Sequence, residues 1–229
     1  KLDIECVVLD PTPNCPASAV ARQVVGDFTD YDAVRAFAKE ADVLTFEIES
    51  ANEKALIELA ESGYPVHPNP ATLALIKDKL AQKNFLKERD IAVGPFMEVG
   101  TLEDAQEAGT RFGFPYVLKA RSGGYDGRGN ATIRSADDIA PAFEKLKGAK
   151  LYADAFVQLQ IVAVRTVAGD IRTYPVVETV HERHICTTVL APAPVADGVR
   201  KDAQALAHRV LESFTGAGVF GIEMFLADG

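Results

Sequence analysis

The stretch Tyr116 to Asn130 reads Tyr-Val-Leu-Lys-Ala-Arg-Ser-Gly-Gly-Tyr-Asp-Gly-Arg-Gly-Asn, an apolar strand that ends in a lysine and runs into four glycines. Phosphate binding is the chemistry this spacing serves. Gly123, Gly124, Gly127 and Gly129 allow backbone N–H groups to close on an anion, while Lys119, Arg121 and Arg128 surround it with positive charge. The order is not that of a P-loop, in which the lysine follows the glycines and opens a helix, and no such string occurs in the chain. Asp126-Gly127 by itself reads as a turn. Glu223 stands in the apolar run Gly218 to Leu226, where a buried carboxylate needs a metal or a cation. Glu47 and Glu49 share one face of an expected strand, which by itself describes a solvated face. His181, His184 and Cys186 offer three metal donors, but a strand-to-turn segment points the two histidines to opposite faces and no fourth ligand is at hand, which argues against zinc.

The elements that must position these residues alternate. Ile4–Leu9 and Val43–Ile48 read as strands, Tyr31–Glu40 and Asn52–Glu61 as helices, then come a short strand Tyr64–His67 and one long helix Pro70–Glu88 opened by Asn69-Pro70. That is an α/β beginning with the tail of a doubly wound unit, although Pro11, Pro13 and Pro16 stand where a glycine turn would follow the first strand. After Gly94-Pro95 the pattern becomes α+β. Strands are expected near Phe96–Val99, Tyr116–Ala120, Ala131–Ile133 and Leu151–Val157, with helices at Leu102–Arg111 and Ala136–Leu146. The last part alternates apolar and polar residues over Ile161–Val167, Ile171–Val177 and Thr187–Ala191, then has a helix Val199–Phe214 and a strand Gly218–Leu226. Three units in this order imply an enclosed site.

Composition excludes several classes. The 229 residues are 48% hydrophobic and 25% charged with a net charge of −9, which describes a folded acidic protein. Nucleic acid and anionic membrane surfaces are unsuitable partners, so positive charge must be gathered in a local pocket. No apolar run approaches the roughly 20 residues of a membrane span. Three cysteines with no Cys-x-x-Cys pair point to reduced thiols in a cytoplasmic enzyme.

Several strings together resemble the ATP-grasp enzymes, and within them the N5-carboxyaminoimidazole ribonucleotide synthetase family of purine biosynthesis. They are Asp42-Val-Leu-Thr-Phe-Glu-Ile-Glu49, Val66-His-Pro68 with Asp78-Lys-Leu80, Gly123-Gly-Tyr-Asp-Gly-Arg-Gly129, Tyr174-Pro-Val-Val-Glu-Thr-Val-His181, Ala191-Pro-Ala-Pro-Val195 and Gly216-Ala-Gly-Val-Phe-Gly-Ile-Glu-Met-Phe225. The resemblance implies a partial N-terminal doubly wound pre-ATP-grasp domain over 1–90, a small α+β subdomain with a glycine flap over 91–157, and a second α+β subdomain over 158–229, the last two enclosing ATP. It implies ATP-dependent carboxylation of 5-aminoimidazole ribonucleotide with bicarbonate, in a homodimer. Lys79 and Lys119 match phosphate-contacting lysines, and Gly124, Tyr125, Asp126, Gly127, Arg128 and Gly129 match the flap. Asp154, Ala155, Phe156 and Val157 match the strand that holds adenine, and His181 a nucleotide-contacting histidine. Lys119 and Arg128 are the expected catalytic cations; Tyr125, Asp126 and Arg128, with Glu47 or Glu49, are expected at the ribonucleotide, and Glu223 at Mg²⁺.

The chain also departs from that pattern. Asp154 replaces the usual glutamate, the segment Phe156–Arg165 is shorter than in relatives and lacks the usual ribose-binding glutamate, and the sequence stops before the second Mg²⁺ carboxylate and the bicarbonate residues. An inactive nucleotide-binding relative and an ATP-grasp ligase with another acceptor are the alternatives; Tyr125-Asp126-Gly127-Arg128 and Glu178-Thr179-Val180-His181 argue against the latter.

Overall fold

A computed structural model describes residues 3–123, 129–155, 159–182, 185–224 and 226. Contacts divide it into two units, one of Lys1–Ala74 with Thr215–Ala217 and one of Leu75–Phe214 with Gly218–Gly229.

The first unit opens with β1 (Val7–Asp10) and β2 (Arg22–Val25), paired in parallel from Val7↔Arg22 to Asp10↔Val25. The proline-rich connection between them buries Cys15. Helix α1 (Tyr31–Phe37) begins where the Asp30 carboxylate accepts the Ala33 N–H, and it turns Val34 and Phe37 inward. Then come β3 (Leu44–Thr45), α2 (Glu53–Glu61), capped by Asn52, and β4 (Val66–His67). The strand expected over Val43–Ile48 is only two residues long. Leu44 and Thr45 pair with Val66 and His67, and Pro68, next in line, has no N–H with which to extend the ladder.

The helix expected over Pro70–Glu88 is two helices, α3 (Pro70–Lys77) and α4 (Lys79–Lys87). Asp78 breaks it with extended backbone, φ −101° and ψ 100°, and its carboxylate accepts the N–H groups of Leu80 and Ala81. An aspartate makes a better cap than helix interior, because its short side chain competes for backbone donors.

The second unit holds two antiparallel sheets. The first contains β5 (Phe96–Val99), β6 (Tyr116–Ala120), β7 (Asn130–Ile133) and β8 (Leu151–Ala155) in the order β5-β8-β6-β7, with α5 (Leu102–Phe112) and α6 (Ile139–Lys145) supplying its apolar cover. Val99, Tyr116, Leu118, Ile133, Leu151 and Ala153 form one core with Ala105, Ala108, Ile139 and Ala142 of the helices. The Tyr116 hydroxyl donates to the Ala105 carbonyl at 2.6 Å, and burial pushes its pKa up to about 12.

The second sheet is built on β9 (Leu159–Arg165), which pairs with β10 (Ile171–Thr173) and β11 (Val177–Glu182); β12 (Ile185–Leu190) continues from β11. Helix α7 (Asp197–Ser213) lays Ala203, Ala207, Val210 and Leu211 against Ile161, Ala163, Phe220 and Met224, the last two from β13 (Gly218–Met224) on β9. Phe85 of α4 stacks on Phe214 with ring centroids 5.6 Å apart, which ties α4 to this core. Among the described residues no helix is long and apolar enough to cross a membrane.

Candidate functional site

Strand alternation decides which side chains face away from the core of the first sheet. Lys119 lies opposite Tyr152 and Val117 opposite Asp154, and on the other flank of β8 Glu98 pairs with Tyr152 and Phe96 with Asp154. These residues therefore share one face. Asp154 is only 1% exposed. A carboxylate that deep needs partners, and it has two: Lys83 Nζ lies 2.9 Å from Oδ1 and Lys119 Nζ 3.1 Å from Oδ2. Lys79, Lys83 and Lys87 recur every four residues on α4, and the ammonium groups of Lys83 and Lys87 lie 5.5 and 5.9 Å from the centre of the Phe96 ring. Two ammonium groups thus converge on one carboxylate.

A second ion cluster fixes the start of α4 to the base of the glycine stretch. Arg121 forks onto Asp78, with Nε 3.1 Å from Oδ1 and Nη2 2.5 Å from Oδ2, while its Nη1 reaches Glu98 at 2.7 Å. Backbone bonds complete the junction. The Lys79 N–H donates to the Arg121 carbonyl at 2.8 Å, the Arg121 N–H to Lys150 at 2.8 Å, and the Ala120 N–H to Gly129 at 2.7 Å. Both ends of the glycine stretch are thus pinned. Hydrogen bonding from Arg121 holds the Asp78 carboxyl below the usual carboxylate range, helped by the Ala81 and Leu80 N–H groups against the opposing effect of burial. Tyr152, behind this cluster, has its hydroxyl pKa raised, first by burial and then by the charges of Asp154, Glu223 and Asp78.

The expected site residues are distributed unevenly. Lys79, Lys119 and Asp154 come together with the base of the glycine stretch, where Gly129 has a positive φ of 92°. Gly124, Tyr125, Asp126, Gly127 and Arg128, with Phe156 and Val157, lie outside the described residues, as does His184. Ala155 ends β8 and His181 sits in β11 in register with Cys186; their side chains are also outside the description. Glu47 and Glu49 are exposed in a bend and a turn beyond β3, so they do not share a strand face as expected. Glu223 is exposed as well. On β13, Phe220 and Met224 turn into the core, while Val219, Gly221 and Glu223 alternate outward. The expectation that burial forces a partner on Glu223 therefore fails, yet its carboxylate makes no hydrogen bond or ion pair with another described residue. Among the described residues no group of three His, Cys, Asp or Glu could hold a metal.

Lys83 was not legible as a site residue, although its four-residue spacing from Lys79 on one helix was the signal for it. Pairing of Asp78 with Arg121, 43 residues apart, left no trace in local sequence.

Residues 84–229 match the ATP-grasp domain, and residues 1–77 match the ribonucleotide synthetase preATP-grasp domain. The chain belongs to the ATP-grasp family. Among its relatives, the phosphoribosylaminoimidazole carboxylase of Candida albicans is 41% identical over 239 aligned positions, covering 100% of this chain and 42% of that protein. The carboxyaminoimidazole ribonucleotide synthase of Aspergillus clavatus, solved with ATP, is 38% identical and superposes with a TM-score of 0.87 over 95% of this chain and 59% of that one. The same fungus's N5-carboxyaminoimidazole synthase, solved with ADP and 5-aminoimidazole ribonucleotide, gives 36% identity and a TM-score of 0.88 over 98% and 60%. The chain thus spans from under half to about three fifths of the length of these ATP-grasp relatives.

Proposed function

We propose that the protein carboxylates 5-aminoimidazole ribonucleotide to N5-carboxyaminoimidazole ribonucleotide with ATP and bicarbonate. The observation that carries this reading is the likeness, over 98% of the chain, to a fungal synthase solved with ADP and that ribonucleotide. Bicarbonate oxygen takes the γ-phosphoryl group of ATP, giving ADP and carboxyphosphate. The exocyclic amine of the ribonucleotide then bonds either to the carboxyl carbon of carboxyphosphate, expelling inorganic phosphate, or to the CO₂ that carboxyphosphate releases as it breaks down to inorganic phosphate; in both cases the amine gives up a proton. Phosphoryl transfer spreads negative charge over several oxygens, so positioning and cations supply most of the catalysis.

Lys119 is suited to the phosphates by its place before the glycines, and Lys79 by its backbone tie to Arg121. Gly124 to Gly129, with Arg128 catalytic beside Lys119, would close over the phosphates and exclude water from the unstable intermediate. Asp154 to Val157 would hold adenine, with His181 on the nucleotide; Tyr125, Asp126, Arg128 and either Glu47 or Glu49 would meet the ribonucleotide. Glu223 would be one carboxylate for Mg²⁺, which would neutralise phosphate charge. The setting proposed is a cytoplasmic homodimer in purine biosynthesis, in keeping with free Cys6, Cys15 and Cys186.

ADP release from MgATP and bicarbonate, with and without 5-aminoimidazole ribonucleotide, tests the reading. Stimulation specific to that ribonucleotide is expected. ATP binding without stimulation would overturn the acceptor and favour another ligase or an inactive relative.

A further inference from the structure

We infer that Lys83 is a positioning residue: it holds the charge of Asp154 so that Lys119 is free to turn from that carboxylate to the nucleotide phosphates. The inference rests on the nucleotide-site reading above and names a residue which that reading does not use. Asp154 presents one oxygen to each lysine and is 1% exposed, so it cannot be left alone without cost. The two lysines are not equivalent. Lys83 has the more buried side chain, 14% exposed against 24% for Lys119, and its ammonium is backed by the Phe96 ring. It also stands on α4, whose first turn is fixed by Asp78 and by the bond from the Lys79 N–H to Arg121. Lys119 is the more exposed partner and lies on the strand that leads into the glycines. Lys83 stays and Lys119 exchanges.

Charge counting makes this testable. Asp154, Lys83 and Lys119 sum to one positive charge, Lys83→Met reduces that to zero, and Lys83→Met with Asp154→Asn restores one positive charge with Lys119 released. The single variant leaves Lys119 as the remaining lysine on Asp154. Equilibrium binding of MgATP and of inorganic tripolyphosphate is measured by calorimetry on the unaltered protein, Lys83→Met, Lys83→Arg and the double variant, with tyrosine near-ultraviolet dichroism to verify the fold. Lys83→Met is expected to weaken both ligands about tenfold, Lys83→Arg to stay near the unaltered protein, and the double variant to recover most of the loss for tripolyphosphate, which carries no adenine. A purely structural lysine predicts instead that Lys83→Met lowers the folded fraction seen by dichroism while the folded protein keeps its affinity for both ligands. Unchanged binding in Lys83→Met, or a double variant that binds tripolyphosphate no better than the single, overturns the inference alone. An unaltered protein that binds neither ligand overturns the nucleotide-site reading and the inference with it.

Discussion

Replacing Asp78 with alanine removes two kinds of contact at once, and their sizes can be separated. The carboxylate accepts the Leu80 and Ala81 N–H groups at the start of α4, each at 3.1 Å, and loss of such a cap costs about 1 kcal/mol. It also takes the fork of Arg121, whose side chain is 19% exposed against 34% for Asp78. Charge-assisted bonds of this kind contribute about 1–2 kcal/mol once partial solvent screening is allowed for, and Arg121 keeps Glu98 as a second partner at 2.7 Å. Asp78→Ala should therefore cost about 2–3 kcal/mol, and Asp78→Ser, which keeps a cap but loses the pair, about 1–2 kcal/mol. The chain has no tryptophan, so buried Tyr116 and Tyr152 can report urea unfolding through tyrosine fluorescence. Acid gives a further signature. Because the folded pKa of Asp78 lies below its unfolded value of about 4, its contribution is present above that pH and is lost as pH falls through the depressed folded value. The acid limb of stability against pH should accordingly flatten in Asp78→Ala. A serine variant as damaged as alanine, or an alanine cost under about 0.5 kcal/mol, would refute the assignment of cap and pair.

Three other outcomes follow from the same geometry. Lys119→Ala should lower ATP turnover about a hundredfold or more while leaving the urea midpoint nearly unchanged, because Lys83 still pairs with Asp154; ordinary turnover would sink its role at the phosphates. Gly216→Ala should cost about 2–3 kcal/mol in a thermal melt, since φ is +86° and an added Cβ would stand 2.7 Å from Asn69 Cβ and 2.8 Å from Asn69 N. For Tyr152, the folded pKa is raised, so its stabilisation is whole below an unfolded pKa of about 10 and lost as pH rises through the folded value. Tyr152→Phe should therefore lose less stability on going to alkaline pH than the unaltered protein, and equal alkaline slopes would refute this.

The ATP-grasp fold and the lysine strand were legible in the sequence because both depend on short-range signals. Lys119 ends an apolar run and precedes glycines, and a reader needs no tertiary contact to notice it. What escaped depended on distant partners. The strand at Val43–Ile48 read as long because its residues suit a sheet, but its extent is set by the two-residue ladder that ends at Pro68. The helix Pro70–Glu88 read as unbroken because its apolar spacing continues through Asp78, whereas Arg121 and the capping bonds end it there. Glu223 looked buried because its neighbours are apolar, yet alternation on β13 turns it outward. Arg22–Val25 was passed over as a strand because a polar pair begins it and prolines precede it; its parallel pairing with Val7–Asp10 defines it.

The assignment of Thr215–Ala217 to the first unit bears on synthesis and dissection of the chain. Thr72 donates its hydroxyl to the Thr215 carbonyl, and Gly216 fits closely beside Asn69, so this unit is completed by residues that follow nearly all of the second. On the ribosome, the amino-terminal unit must wait for that late segment before its last contacts form. No single proteolytic cut or truncation can release it whole; a circularly permuted gene that joins the 215–217 segment to the rest of its unit would be the way to obtain it as an independent piece.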